Sequence, residues 1–477
     1  MPPTTSRHRT TGGLAVAVAL ALAPALPALP AAAADDGART PVADATVVGP
    51  LPRDLGGDRS SPDLARTYPF FATYQDLAGA GYVEEEFLVS GLADAYAGPR
   101  TPATAAGTLL AEDVPYTTRI VVRRPADPAD FSGTALVEWQ NVTAGYDPDA
   151  LWNFDDVTRS GDAWVGVSAQ QVGVDHLRGW SPTRYGSLDT TGGGAFPLDQ
   201  LSFDVYAQAA KALVAPTGVD PMGGLDVETL LSIGASQSTR YQSTWYDAIL
   251  PRVEPVFDGY AIVVGTAPSR AGDEPVFQVQ SETDVTAAAA ALRRPDDAVF
   301  RRWEVAGGAH SGWSGQEYRA PLSVRDLGGV TEYSCQLPPF SRVPVEHVTA
   351  AAYAHLVRWV EDGVAPPSAP YLQFDASGQK VRDARGLAQG GIRLSQVQVP
   401  TALNSGDNGG ASFCRLFGTH QPYTDAELRA LYRNQGQYLS RVVAADRDNV
   451  RAGYLEPEDA AENRQAALEL GARLRGR

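Results

Sequence analysis

The sequence predicts an α/β fold, a mostly parallel central sheet flanked by helices, with a C-terminal elaboration. Three observations lead there. Short apolar runs rich in β-branched residues recur between turn residues from Glu85 to Val305, and near-continuous runs of this kind suit strands buried on both faces. Helical patterns alternate with the runs, as parallel pairing through crossovers requires. The chain has 477 residues, enough for one large core that buries about three-quarters of its unfolded surface without metal or dense disulfides.

Residues 1–34 read as a targeting segment. Arg7, His8 and Arg9 form a positive start, an apolar stretch spans 14–29, and four alanines precede Asp35, so cleavage near Ala34 and secretion are expected. No later run is apolar enough for stable membrane insertion. Residues 35–84, rich in Pro, Gly and Asp, form an N-terminal lead-in. The core is expected over 85–365, with strands at 87–92, 116–122, 134–139 and 163–168. A long Gly- and Pro-containing loop follows over 170–197, then a helix over 199–214. Further strands are expected at 230–233, 257–264, 275–280 and 300–305, and a helix over 287–292. The link between 264 and 275 is too short for a lid. A helix is expected over 344–360. In the elaboration, 366–477, strands are expected at 371–382 and 391–399, and helices from Tyr423 onward.

The chemistry centres on Gly234-Ala235-Ser236-Gln237-Ser238. An apolar run precedes it, and Tyr241, Trp245 and Ile249 repeat at helical spacing after it. A serine at a sharp strand-to-helix turn is the nucleophile elbow, which projects the hydroxyl from the sheet edge. A serine hydroxyl is a weak nucleophile until a base takes its proton. The last position is Ser238, where the usual pattern has glycine. Of six histidines, His310 alone follows an expected strand and sits among small residues. Asp284 is the expected acid, with Glu282 in the same Ser281-Glu282-Thr283-Asp284 segment as the first alternative and Asp258 and Asp273, around the preceding strand, as the others. Serine, acid and histidine occur in the chain order of an α/β-hydrolase. The oxyanion hole should use the amide of Gln237 and one from the loop after 134–139, where Asn141 and Val142 are the candidates. Ser168, also two residues after a glycine, lies in an apolar run and reads as a sheet residue. Tyr146, Trp152, Trp180, Trp245 and Trp313 fit either a pocket or core packing.

The stretches LVEWQNV at 136–142, RYGSL at 184–188, DVYAQA at 204–209, GASQSTR at 234–240, VQSETD at 279–284 and FCRLFG at 413–418 resemble a family of secreted bacterial alpha/beta-hydrolase-domain proteins. The resemblance implies an α/β-hydrolase fold with Ser236 as nucleophile, and leaves the substrate open. The residues themselves point to a secreted serine hydrolase cleaving carboxylic esters, small-molecule or polymeric, without cofactor or metal. An amidase or acyltransferase could use the same triad, and a non-catalytic binding protein could use the same fold. The formal charge of −17 (39 basic against 56 acidic residues) with no basic run argues against nucleic acid and anionic membrane surfaces as partners. The two cysteines, Cys335 and Cys414, suggest one disulfide in an exported chain. It would close a 79-residue separation, worth about 4–5 kcal/mol on chain-entropy grounds. The sequence leaves the oligomeric state open.

Overall fold

The computed structural model describes residues 39–53, 66–99 and 106–471; the targeting segment expected at 1–34 lies outside them. The strands in chain order are β1 (Thr46–Val48), β2 (Tyr82–Tyr96), β3 (Leu109–Pro125), β4 (Thr134–Trp139), β5 (Ala163–Val167), β6 (Thr217–Gly218), β7 (Thr229–Ala235), β8 (Gly259–Val263), β9 (Val276–Ser281), β10 (Phe300–Val305), β11 (Ala402–Ser405) and β12 (Thr419–Pro422). Ten of them form one sheet in the order β10-β9-β8-β7-β4-β5-β3-β2-β1-β6. From β10 to β5 all pairings are parallel; β3, β2 and β1 join antiparallel. β11 and β12 form a separate hairpin.

Every residue of β4, β5, β7, β8, β9 and β10 is buried. These six are covered on both faces, which is why they read as continuous apolar runs. Alternate residues point to opposite faces. On β4, Ala135, Val137 and Trp139 pack with the helix Ser202–Val214 and with Tyr241, Trp245 and Ile249. Leu136 joins the other side, where the helix Val345–Asp362 supplies Val348, Ala351, Ala352 and Leu356.

Several expectations need correction. The stretch 170–197 contains the helices Gln171–Trp180 and Pro182–Tyr185. The lead-in contributes β1, paired with β2. Residues 371–382 and 391–399 are not strands. The first makes only the single bridges Leu372↔Gly390, Phe374↔Lys380 and Arg382↔Ala388, because turns closed by Asp375 and Asp383 reverse the chain before a ladder can extend. The second ends in one helical turn, Ser395–Gln398. A helix at Trp313–Leu327 was not expected, since Gly315 and Pro321 interrupt its pattern; an interior proline removes one backbone hydrogen bond.

A buried charge network fixes the loop after β4. Arg119 and Arg123 of β3 pair with Glu86 (2.9 Å) and Glu84 (2.8 Å) of β2. They reach on to Asp147 (3.5 Å) and Asp149 (2.6 Å) of the loop. The Arg123 guanidinium also lies over the rings of Trp152 and Trp164, at 4.5 and 4.6 Å. From beneath, the Glu138 carboxyl accepts bonds from the amides of Ala150 (2.9 Å) and Leu151 (3.1 Å) and from Trp164 Nε1 (3.0 Å). Breaking such a buried pair from one side strands a charge, at a cost of about 3–5 kcal/mol.

Burial, and then Asp149 beside it, pushes the Glu138 carboxyl up from its ordinary 4.5 to about 8, against the pull of its three N–H donors. A carboxyl raised in this way holds a proton that the unfolded chain has already released. Its contribution to stability is complete below about pH 4.5 and is lost as pH rises through about 8. Glu138→Gln should therefore melt with a shallower decline in Tm between about pH 5 and 8 than the parent. Calorimetry across that range checks this; equal slopes would show that Glu138 does not titrate there.

Candidate active site

β7 ends at Ala235, and Ser236 follows with φ +58°. A 3-10 turn, Ser236–Ser238, then leads into the helix Thr239–Thr244 and a π turn, Trp245–Ile249. A non-glycine residue in the left-handed region costs about 1–3 kcal/mol, so its neighbours must hold it there. Ser238 does so from the position where a glycine is usual. Its hydroxyl donates to Ala235 O (2.9 Å) and accepts from Ala235 N (3.1 Å). Thr239 Oγ1 donates to Ser236 O (2.6 Å) and Asn141 Nδ2 to Ala235 O (2.9 Å). At Gly234 a Cβ would lie 2.2 Å from Gln242 Oε1, and Gln242 is itself buried and bonded to Ser232 Oγ (2.9 Å). The buried Gln242 carboxamide, bonded where it lies, fills the space a side chain at 234 would need.

β7 to β10 are consecutive parallel neighbours, so their C-terminal ends lie along one edge. Asp284 lies three residues beyond β9 and His310 five beyond β10. Asp284 Oδ1 stands 2.7 Å from His310 Nδ1, and its other oxygen accepts from Ser281 Oγ (2.6 Å). Both partners stay partly accessible, with side-chain exposures of 12% for His310 and 17% for Asp284. The alternative acid is engaged otherwise. Glu282 is completely buried and accepts from Gly307 N (2.6 Å), Arg382 Nη2 (2.7 Å) and Ser405 Oγ (3.2 Å). Thr283 Oγ1 donates to Gly406 O (2.6 Å) and accepts from His310 N (3.3 Å). A Cβ at Gly406 would lie 2.4 Å from the backbone nitrogen of Thr283, so only glycine allows this approach. From sequence Glu282 was read only as the alternative acid, and Ser281 and Thr283 had no role; the partners of Glu282 and Thr283 lie 25 to 123 residues away in the chain.

The other described histidines have different partners. His176 lies in the helix Gln171–Trp180 against the rings of Phe70 and Tyr146. His347 faces Glu462 (3.5 Å), His355 meets Gly453 O (2.9 Å), and His420 of β12 meets Asn404 Oδ1 (2.8 Å). Ser168 is buried just past β5, accepts from Arg119 Nε (3.0 Å) and touches Asp147.

The loop after β4 reaches the elbow. Val142 N donates to Gln237 Oε1 at 3.4 Å, and Asn141 Oδ1 accepts from Thr143 N (2.8 Å). Beside Ser236, an apolar patch of Ala235, Val263 and Val264 packs with Ala150 and Leu151. Val264 has φ +46°, an outlier for a β-branched residue. Of the aromatics noted in the sequence, Trp152, Trp180 and Trp245 are core residues. Tyr146 is half-buried, and Trp313 is exposed beneath the Arg342 guanidinium, 4.5 Å from its ring. Two clefts elsewhere, of 610 and 420 Å³, contain none of the expected triad.

Cys335 and Cys414 form a disulfide. Two residues past the second cysteine, Leu416 O accepts from Ser311 N (2.9 Å), and Phe417 O accepts from Ser341 N (2.9 Å). The cross-link thus holds the segment that supports the residue after His310. Replacing both cysteines with serine should lower Tm by several degrees, as a loss of about 2–5 kcal/mol implies. It should also speed amide exchange at Ser311. Unchanged exchange there would separate the disulfide from the His310 loop.

The profile of a family described as "Alpha/beta hydrolase domain" matches residues 47–465. No curated protein matches the sequence. Among solved structures, the chain is similar to a ferulic acid esterase from Streptomyces cinnamoneus at 13% identity, over 62% of this chain and 94% of that one, with a TM-score of 0.33. It is similar to the esterase Est22 at 9% identity, over 43% of this chain and 66% of that one, just under two thirds, with a TM-score of 0.25. Oligopeptidase B from Trypanosoma brucei is similar at 11% identity, over 53% and 38% of the two chains, with a TM-score of 0.27.

Proposed function

The chain belongs to the alpha/beta hydrolase domain family, and from that premise we propose that it is an exported serine hydrolase of carboxylic esters, using Ser236, His310 and Asp284. The observation that carries the reading is the 2.7 Å contact between Asp284 and His310, on the same sheet edge as a serine in the left-handed conformation of an elbow. In this reading Ser236 Oγ attacks the ester carbonyl while His310 Nε2 takes its proton. Asp284, turned by Ser281, keeps Nδ1 protonated and stabilises the imidazolium. The tetrahedral oxyanion is met by the amides of Gln237 and Val142. Val142 N now donates to Gln237 Oε1 at 3.4 Å, a long bond that a developing negative charge displaces. The imidazolium gives its proton to the departing alkoxide, leaving an acyl-enzyme. Water deprotonated by His310 then releases the acid and restores the serine. No cofactor takes part. The apolar patch of Val263, Val264 and Leu151 suits a small apolar acyl chain. The disulfide agrees with export, and among the described residues no helix is long and apolar enough to cross a membrane.

Ser236→Ala should lose at least about three orders of magnitude in ester turnover, along with labelling by a fluorophosphonate probe. A folded Ser236→Ala protein that still turns over esters would reject the assignment, and a wild type that resists the probe would favour a non-catalytic binding protein.

The two acids separate by different readouts. Asp284→Asn should cost roughly four decades in kcat with little change in Tm. Glu282→Gln should act mainly on stability, since it weakens a buried ion pair with Arg382. The reverse ranking in kcat would make Glu282 the acid.

A further inference from the structure

The helix Trp313–Leu327 begins three residues after His310 and spans the space between two loops of the site. Tyr318 Oη donates to Asp149 Oδ2 in the loop after β4 (2.6 Å). The next residue, Arg319, is half-buried. Its Nη2 donates to Ser311 Oγ (2.9 Å), on the residue adjoining His310. The guanidinium lies over the first turn of its helix, since a Cβ at Gly315 would meet Arg319 Nη1 and Nη2 at 3.5 Å. Arg319 also stands close enough to Tyr146, in the loop after β4, to act on it electrostatically. Arg319 therefore sits between the loop that carries Val142 and the loop that carries His310.

Among the described residues its charge has no carboxylate counterpart. Among the described residues Arg319 forms no ion pair; its hydrogen-bond partner is a neutral hydroxyl. The neighbouring acids are committed. Asp149 pairs with Arg123 and Tyr318, and Asp284 with His310 and Ser281. The contrast with Arg119, Arg123, Arg184 and Arg382, all paired with carboxylates, is sharp in a chain carrying 56 acidic residues. A guanidinium presents a planar fork that matches a carboxylate, and a partly desolvated one gains most from finding it.

We propose that Arg319 binds a carboxylate on the alcohol portion of the ester, so that the preferred substrates carry a negative charge on the leaving group. This rests on the ester-hydrolase reading above. The side follows from the chemistry. His310 must protonate the departing oxygen, so the leaving group lies against the loop that holds Ser311, where Arg319 is bonded.

The test uses the full chain with two ester pairs. In one, 4-acetoxybenzoate is compared with its methyl ester, so the charge is on the alcohol side. In the other, 4-nitrophenyl hemisuccinate is compared with 4-nitrophenyl acetate, so the charge is on the acyl side. The ratio of kcat/KM for charged over neutral ester should fall about tenfold to a hundredfold in Arg319→Gln for the first pair, mainly through KM, as loss of a charge-assisted bond predicts. Arg319→Lys should recover part of it. Free 4-hydroxybenzoate should inhibit the wild type competitively and Arg319→Gln more weakly. An unchanged ratio in the first pair, with both esters hydrolysed, overturns the role of Arg319 and leaves the hydrolase reading standing. A fall confined to the second pair overturns the assignment to the leaving group. No hydrolysis of any of the four esters by the wild type overturns both readings.

Discussion

One buried carboxylate ties together the parts of the chain that meet at the sheet edge carrying Ser236, Asp284 and His310. Glu282 accepts bonds from Gly307 in the turn after β10, from Arg382 a hundred residues on, and from Ser405 in the hairpin strand β11. A completely buried charge is tolerated only when its partners are in place. Glu282 therefore fixes where the β10 turn and the C-terminal elaboration sit relative to the end of β9. Asp284 is two residues away and His310 three beyond Gly307, so their 2.7 Å contact inherits this geometry. The neighbouring acids divide the work. The buried one organises backbone; the accessible one faces an imidazole.

The elbow obeys a similar logic. The left-handed turn at Ser236 is unfavourable by itself and is held by hydroxyls of Ser238 and Thr239 and by the carboxamide of Asn141. Asn141 links the strained turn to the loop after β4, and that loop is itself anchored by Glu138, Arg119 and Arg123. The strain is thus supported by contacts reaching back to β2 and β3, at the antiparallel side of the sheet.

How much of this the sequence revealed depended on the range of the interactions. The limits of β4 and β10 were readable because every residue in them is buried and the apolar run stops where the strand does. The elbow was readable because its signal is local. Residues 371–382 misled, because β-like composition was overridden by turns at Asp375 and Asp383 that leave each arm only single bridges. The helix Trp313–Leu327 was hidden by its own glycine and proline, and Arg319 with it. Spacing from the strand end favoured Asp284 over Glu282, but the contacts that engage Glu282, to Arg382 and Ser405, come from residues 100 and 123 positions away and left no local signal.

The bridge between Val305 and Ile392, together with Ser311 N to Leu416 O, has a bearing on the order of events in folding. The six parallel strands are complete in the chain by Val305, yet the loop bearing His310 is buttressed by residues made about a hundred positions later. Contacts of such large sequence separation form late, after the entropy of closing the intervening chain has been met. The sheet can therefore assemble around an elbow whose histidine loop is still loose. Completion of that loop is coupled to synthesis, docking and oxidation of the C-terminal part. The edge that carries Ser236 and Asp284 is thus encoded early in the chain, while the support for the loop of His310 comes from as far along as Leu416.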